Sequence, residues 1–85
     1  MPAKIYALSN SHAELRLAAA QALANHGDRA ALPVLIDLLE SDSLQVRNQA
    51  NAILRAATGE RFGFAAYATA DQRLEKVNQW RTWYA

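Results

Sequence analysis

The chain contains no cysteine. That excludes disulfides, thiolate metal centres and cysteine nucleophiles, and it leaves the redox compartment undetermined. It also lacks any run of about 18 apolar residues, so no membrane-spanning helix is expected. The opening MPAKIYALSN carries one lysine but no apolar stretch long enough for the core of a signal peptide. A cytoplasmic location is the default expectation. Charge of one sign is missing too. Nine basic residues against eight acidic ones leave a net charge of +1, which provides no long-range field for nucleic acid or anionic lipid.

Catalytic signatures are equally scarce. There is no Gly-rich phosphate loop, no serine elbow and no carboxylate pair at a useful spacing. His12 and His26 are the two histidines. On one helix they would stand about 21 Å apart by helical rise, too far to share a metal. Asp37 and Glu40 are expected on the solvated side of an amphipathic helix. No catalytic residue, metal site or cofactor is therefore expected.

What is present is a globular composition, 52% hydrophobic and 20% charged over 85 residues, enough for one modest core in a single domain. The chain also repeats itself. With Pro2 laid over Pro33, Ile5 falls on Ile36, Leu8 on Leu39, Leu15 on Val46, Arg16 on Arg47, Ala19 on Ala50, Ala22 on Ile53 and Leu23 on Leu54. Each unit reads as two helices. In the second unit the first helix covers about Ala30 to Glu40, with Leu32, Leu35, Ile36 and Leu39 as its buried stripe. Ser41-Asp42-Ser43 breaks the pattern and offers capping side chains. The second helix runs from about Leu44 to Thr58, with Val46, Ala50, Ile53, Leu54 and Ala57 on one face, and stops at Gly59. In the first unit the second helix covers about His12 to His26, with Leu15, Ala19, Ala22 and Leu23 inward. Pro2 and Pro33 suit first helical turns.

The stretch ELRLAAAQALANHGDRAALPVLIDLLESDSLQVRNQANAIL, with its Pro33-led helix, Asp42 before the second helix, and Val46-Arg47 followed by Ala50, resembles HEAT-like repeats of the short kind found in phycobilin-lyase-related proteins. The tail from TGERFGF to the closing W-x-x-W-Y resembles the segment that follows such repeats in some bacterial proteins. Unit one departs from the pattern: Lys4 stands for a core leucine and Ser11 for Asp42. The resemblance implies an armadillo-like αα-superhelix whose second helices line an inner surface. It also implies that Arg16 and Arg47 support packing between units, the latter with Asp42. HEAT-type metalloenzymes carry His-Glu pairs, and this chain has no such dipeptide.

Beyond Gly59, Phe62 and Phe64 flank Gly63, a turn signal between apolar anchors. Thr69 and Gln72 fit a capping box. On the helix that follows, Leu74, Val77, Trp80 and Tyr84 share a face expected to cover the open end of unit two. Trp83 projects off that face, either folded against the loop that holds Tyr67 or standing out as an aromatic anchor for a partner.

The expected fold is thus all-α: a two-unit HEAT-like superhelix (residues 1–31 and 32–59) with a C-terminal loop and capping helix (60–85). The expected function is a non-catalytic protein-protein interaction module, an accessory or assembly subunit. The candidate binding residues are Leu17, Ala20, Gln21 and Ala24 on one half of the inner surface, Gln45, Asn48, Asn51 and Arg55 on the other, and Trp83. Amides can bond a peptide backbone, and small apolar residues allow close approach. Two repeats leave an edge uncovered, with Ile5, Tyr6 and Leu8 on it, so either self-association there or stabilisation by a larger partner is a second expectation. The alternatives are a lyase- or chaperone-like factor for a cofactor-bearing protein and a nucleic-acid module using Arg47, Arg55, Arg61, Arg73 and Arg81.

Overall fold

The computed structural model describes the backbone from Pro2 to Ala85 and the side chains from His12 onward. Four helices follow in order: α1 (Pro2–Asn25), α2 (Ala31–Leu38), α3 (Leu44–Thr58) and α4 (Ala70–Tyr84). No strand occurs among the described residues. The all-α repeat architecture expected from the sequence is the one observed. The expectations for Ile5, Tyr6 and Leu8 lie outside the described side chains.

Local signals set most of the boundaries. Ser43 caps α3, its hydroxyl accepting the Val46 N–H at 3.2 Å. Gly59 ends α3 at φ 75°, a left-handed backbone that a side chain would strain, and its N–H donates to the Arg55 carbonyl. Thr69 and Gln72 form the full capping box at α4: the Gln72 N–H donates to the Thr69 hydroxyl and the Thr69 N–H to the Gln72 side-chain oxygen, both at 3.2 Å. Pro33 sits in the first turn of α2, where its missing N–H costs little. Asp42 caps nothing and is exposed.

The first unit differs from its expected form. α1 is one continuous helix from Pro2 to Asn25, with no turn at Ser9-Asn10-Ser11. Those three residues cost only a few tenths of a kcal/mol each in a helix. No glycine or proline interrupts the chain between Pro2 and Gly27. α1 stops where the Gly27 N–H donates to the Ala24 carbonyl and the Asp28 N–H to the Leu23 carbonyl, both at 2.9 Å, a Schellman-type end.

Because no turn resets the rotation of α1, a different face points inward. Leu17 and Ala20 are buried, and Ala13, Leu23 and Ala24 pack partly against the core. Leu15 is 69% exposed, and Ala19 and Ala22 are exposed as well. The inward face is shifted by about one residue from the sequence alignment. Leu17 now matches buried Arg47, Ala20 matches Ala50, and Ala24 matches Leu54. Arg16, expected to mirror Arg47, is exposed.

The core is organised around α2. Leu32, Leu35, Ile36 and Leu39 are buried as expected, together with Ala31 and Leu38. α2 packs against α1, α3 and α4, while α1 also meets α3. From α3, Val46, Ala50 and Leu54 are buried and Ile53 partly so, whereas Ala57 is exposed. From α4, Val77 and Trp80 are fully buried, but Leu74 and Tyr84 are exposed. Trp80 stacks edge-on against Phe62 at 4.7 Å and against Trp83 at 5.7 Å, contacts that add to area burial. Its indole N–H is buried without a partner among the described residues. The result is a slab of 41 × 32 × 19 Å, about two helices thick.

Arg47 is the buried polar residue of this core. Its Nε and Nη2 donate to the Ala66 carbonyl at 3.0 and 2.9 Å, and its Nη1 donates to the Ser41 carbonyl at 2.8 Å. The repeat resemblance implied packing between units with Asp42, whereas the partners are backbone carbonyls of the α2–α3 turn and of the tail. One guanidinium thereby holds the α2–α3 turn and the segment before α4 to the start of α3.

Trp80→Ala is expected to lose about 3–5 kcal/mol, the cost of removing a fully buried aromatic. Arg47→Met keeps the stem but strands two carbonyls, and is expected to lose about 2–4 kcal/mol. Urea denaturation followed by helical circular dichroism measures both. Loss of less than about 1 kcal/mol in Arg47→Met would remove the guanidinium from any tying role.

Candidate functional site

The candidate binding residues do not form one surface. α1 and α3 lie side by side and enclose a groove of about 290 Å³, lined by Glu14, Leu17, Ala18 and Gln21 from α1 and by Gln45, Val46 and Gln49 from α3. Gln21 and Gln45 are therefore brought together as expected. Leu17 and Ala20 are corrected: Leu17 belongs to the groove floor and the core, and Ala20 is fully buried. Neither is a surface anchor, because the rotation of α1 turns them toward α2 and α3. Ala24 is half-buried and lines a different hollow. Asn48 is exposed on α3. Asn51 and Arg55 border a third hollow, of about 220 Å³, with Arg61, Phe62, Gly63 and Phe64.

Within the α1–α3 groove the chemistry is that of unengaged amides over an apolar floor. Gln21, Gln45 and Gln49 make no side-chain hydrogen bond among the described residues, whereas Gln72 is held in its capping box. Each free amide keeps two donors and one acceptor available. Gln49 was missed in the sequence reading, although it lies one helical turn beyond Gln45 and so shares its face.

Trp83 is not the fully exposed anchor, and it lines a hollow together with Phe62 of the loop that also holds Tyr67. It is half-buried against the core and meets Trp80 edge-on, while Tyr67 is 86% exposed. Trp83 separates two hollows. One, of about 230 Å³, is bounded by the α1–α2 turn and the end of α3. The other, of about 450 Å³, is formed with Phe62, Glu75, Asn78, Gln79 and Thr82. On the rim of the first of these hollows the Arg29 guanidinium stands 5.8 Å from the centre of the Tyr84 ring, a cation–π distance.

Asp37 and Glu40 do not simply face solvent. Arg81 donates to Glu40 at 2.6 Å and to Asp37 at 3.4 Å, joining α4 to α2. The hydrogen bond to Glu40 is the largest influence on the Arg81 pKa and raises it, against an opposing effect of burial. Of the other arginines grouped as a nucleic-acid face, Arg47 is buried on carbonyls and Arg73 donates to the Ala68 carbonyl at 2.6 Å. The basic stripe is thus broken up. His12 on α1 and His26 just past its end are both exposed, and no group of three or more potential metal ligands gathers among the described residues. No helix among them is long and apolar enough to cross a membrane.

Side-by-side helix pairs stacked around a shared core define a helical-repeat protein. The family description "HEAT repeats" matches residues 1–75, which takes in α1, α2, α3, the following segment and the first turns of α4. The chain belongs to the HEAT-repeat family. No curated protein and no solved structure matches it.

Trp83→Ala is expected to lose about 1–2 kcal/mol, well below Trp80→Ala, since only part of the ring is covered. Arg81→Ala is expected to lose under about 1 kcal/mol, because its ion pairs are solvent-screened. That loss should shrink further in concentrated salt, as thermal melts at two ionic strengths would show.

Proposed function

We propose that the chain is a non-catalytic HEAT-repeat module that docks another protein along the α1–α3 groove, as a small accessory or assembly subunit. The observation that carries this reading is the rim of free amides, Gln21, Gln45 and Gln49, over a floor of Leu17 and Val46. An extended segment laid there can bond its backbone to the amides and place one apolar side chain on the floor. HEAT repeats commonly serve such interactions, which supports the same reading. In it α4 acts as the cap of the array, covering α2 with Val77 and Trp80.

A second reading concerns the outer face of α1. Leu15, Ala19 and Ala22 are exposed at helical spacing and offer an apolar strip on the side away from α2. Self-association through that strip would cover it.

Affinity capture from native lysate should recover a protein partner with the wild-type chain. The triple variant Gln21→Ala, Gln45→Ala, Gln49→Ala should lose it with an unchanged melting temperature. A partner retained by the triple variant would refute the groove. For the second reading, sedimentation should show a dimer that Leu15→Glu converts to monomer. A wild-type chain that stays monomeric at high concentration excludes it.

A further inference from the structure

Most of the described basic side chains near the core already have a partner. Arg47 and Arg73 donate to carbonyls, Arg81 pairs with Asp37 and Glu40, and Arg29 lies over Tyr84. Arg55 and Arg61 are different. Both are exposed and neither meets a carboxylate, since the ion pairs among the described residues belong to Arg81. They nevertheless border the same hollow, beside the amide of Asn51 and the Phe62-Gly63-Phe64 turn.

A third cation reaches that turn from α4. Gly63 has φ +77°, and the Lys76 Cε and Nζ both lie 3.9 Å from the point where a Cβ on Gly63 would stand. The glycine is needed for this backbone, and the ammonium lies at ordinary contact distance from it. Lys76 likewise pairs with no carboxylate among the described residues. Three basic side chains from α3, the loop and α4 therefore border one turn, and none of them forms an ion pair among the described residues. A bound anion would supply that partner.

Phe62 lines this hollow and also the larger one formed with Trp83, Gln79 and Thr82. A cationic recess and an aromatic-walled recess thus adjoin across a single ring. We infer that the turn Phe62-Gly63-Phe64 is a second binding site for an acidic peptide segment, one carboxylate seated among Arg55, Arg61 and Lys76 and a nearby apolar side chain against Phe62 and Trp83. Arginine suits the carboxylate because its planar fork can meet both oxygens. A nucleic acid strand fits less well. It needs a continuous basic track, whereas Glu75 lies on the rim of the aromatic recess and the net charge is only +1. The site lies apart from the α1–α3 groove and rests on the proposed protein-binding role only in taking a peptide as its occupant.

The test is an NMR titration of the full chain with a capped pentapeptide of two aspartates, a glycine and two leucines. Its counterpart with two asparagines and a short oligothymidylate serve as comparisons. The acidic peptide should shift the Gly63 amide and the Trp83 indole signal, and the neutral peptide should bind roughly tenfold more weakly. The double variant Arg55→Gln, Arg61→Gln changes only exposed side chains and should abolish the response while the Trp80 indole signal stays in place. Equal binding of the two peptides, tighter binding of the oligothymidylate, or no response at Gly63 would each overturn the site. Shifts confined to α1 and α3 around Gln45 would overturn it while leaving the groove reading intact.

Discussion

An isolated helix of eight residues is unstable in water, since nucleation is costly and few hydrogen bonds follow. α2 is such a helix, about 12 Å long, and its sequence ALPVLIDL is apolar almost all round. It exists because α1, α3 and α4 bury it from three sides. The dependence runs both ways. Among the described residues the backbone of α4 comes close to no helix other than α2, and the full burial of Val77 and Trp80 is its main hold on the molecule. The groove between α1 and α3 likewise has its width set by two helices leaning on the same short rod.

Polar contacts then fix what apolar burial leaves loose. Hydrophobic packing is non-directional, so it does not by itself decide where the segment between α3 and α4 runs. Arg47 decides it by meeting the carbonyls of Ser41 and Ala66. Phe62 and Phe64 then take fixed positions against the core. Arg81 makes a weaker, solvent-screened connection between α4 and α2. The three arginines Arg47, Arg55 and Arg61 thus carry the same charge to different ends: the first is consumed inside the fold, and the other two remain at its surface.

How much was legible in the residues depended on how local the determinant was. The full extent of α3 could be read, because Ser43 and Gly59 mark its ends. So could the start of α4, because Thr69 and Gln72 cap each other within one turn. The stripe of α2 was equally clear, since its leucines and Ile36 have one helical phase. α1 was not. Its alanines lie on every side, so an inward face through Leu15 and one through Leu17 differ little in apolar content. α1 also runs on without the break expected before His12, so the register taken from Pro2 and Pro33 no longer gives its phase. The candidate site shared this fate. Gln21 and Gln45 met, while Leu17 and Ala20 turned inward and Trp83 went to another part of the surface.

The sequence by itself determined a HEAT-type helical repeat, the caps of α3 and α4, and the apolar stripe of α2. These follow from backbone hydrogen bonding and side-chain periodicity within a few residues. Only the tertiary structure decided which face of α1 is buried and which arginines are left without a counter-charge. The reason is physical distance along the chain: Arg81 finds Glu40 across 41 positions and Arg47 finds Ala66 across 19. No local pattern specifies such pairs until the helices have packed.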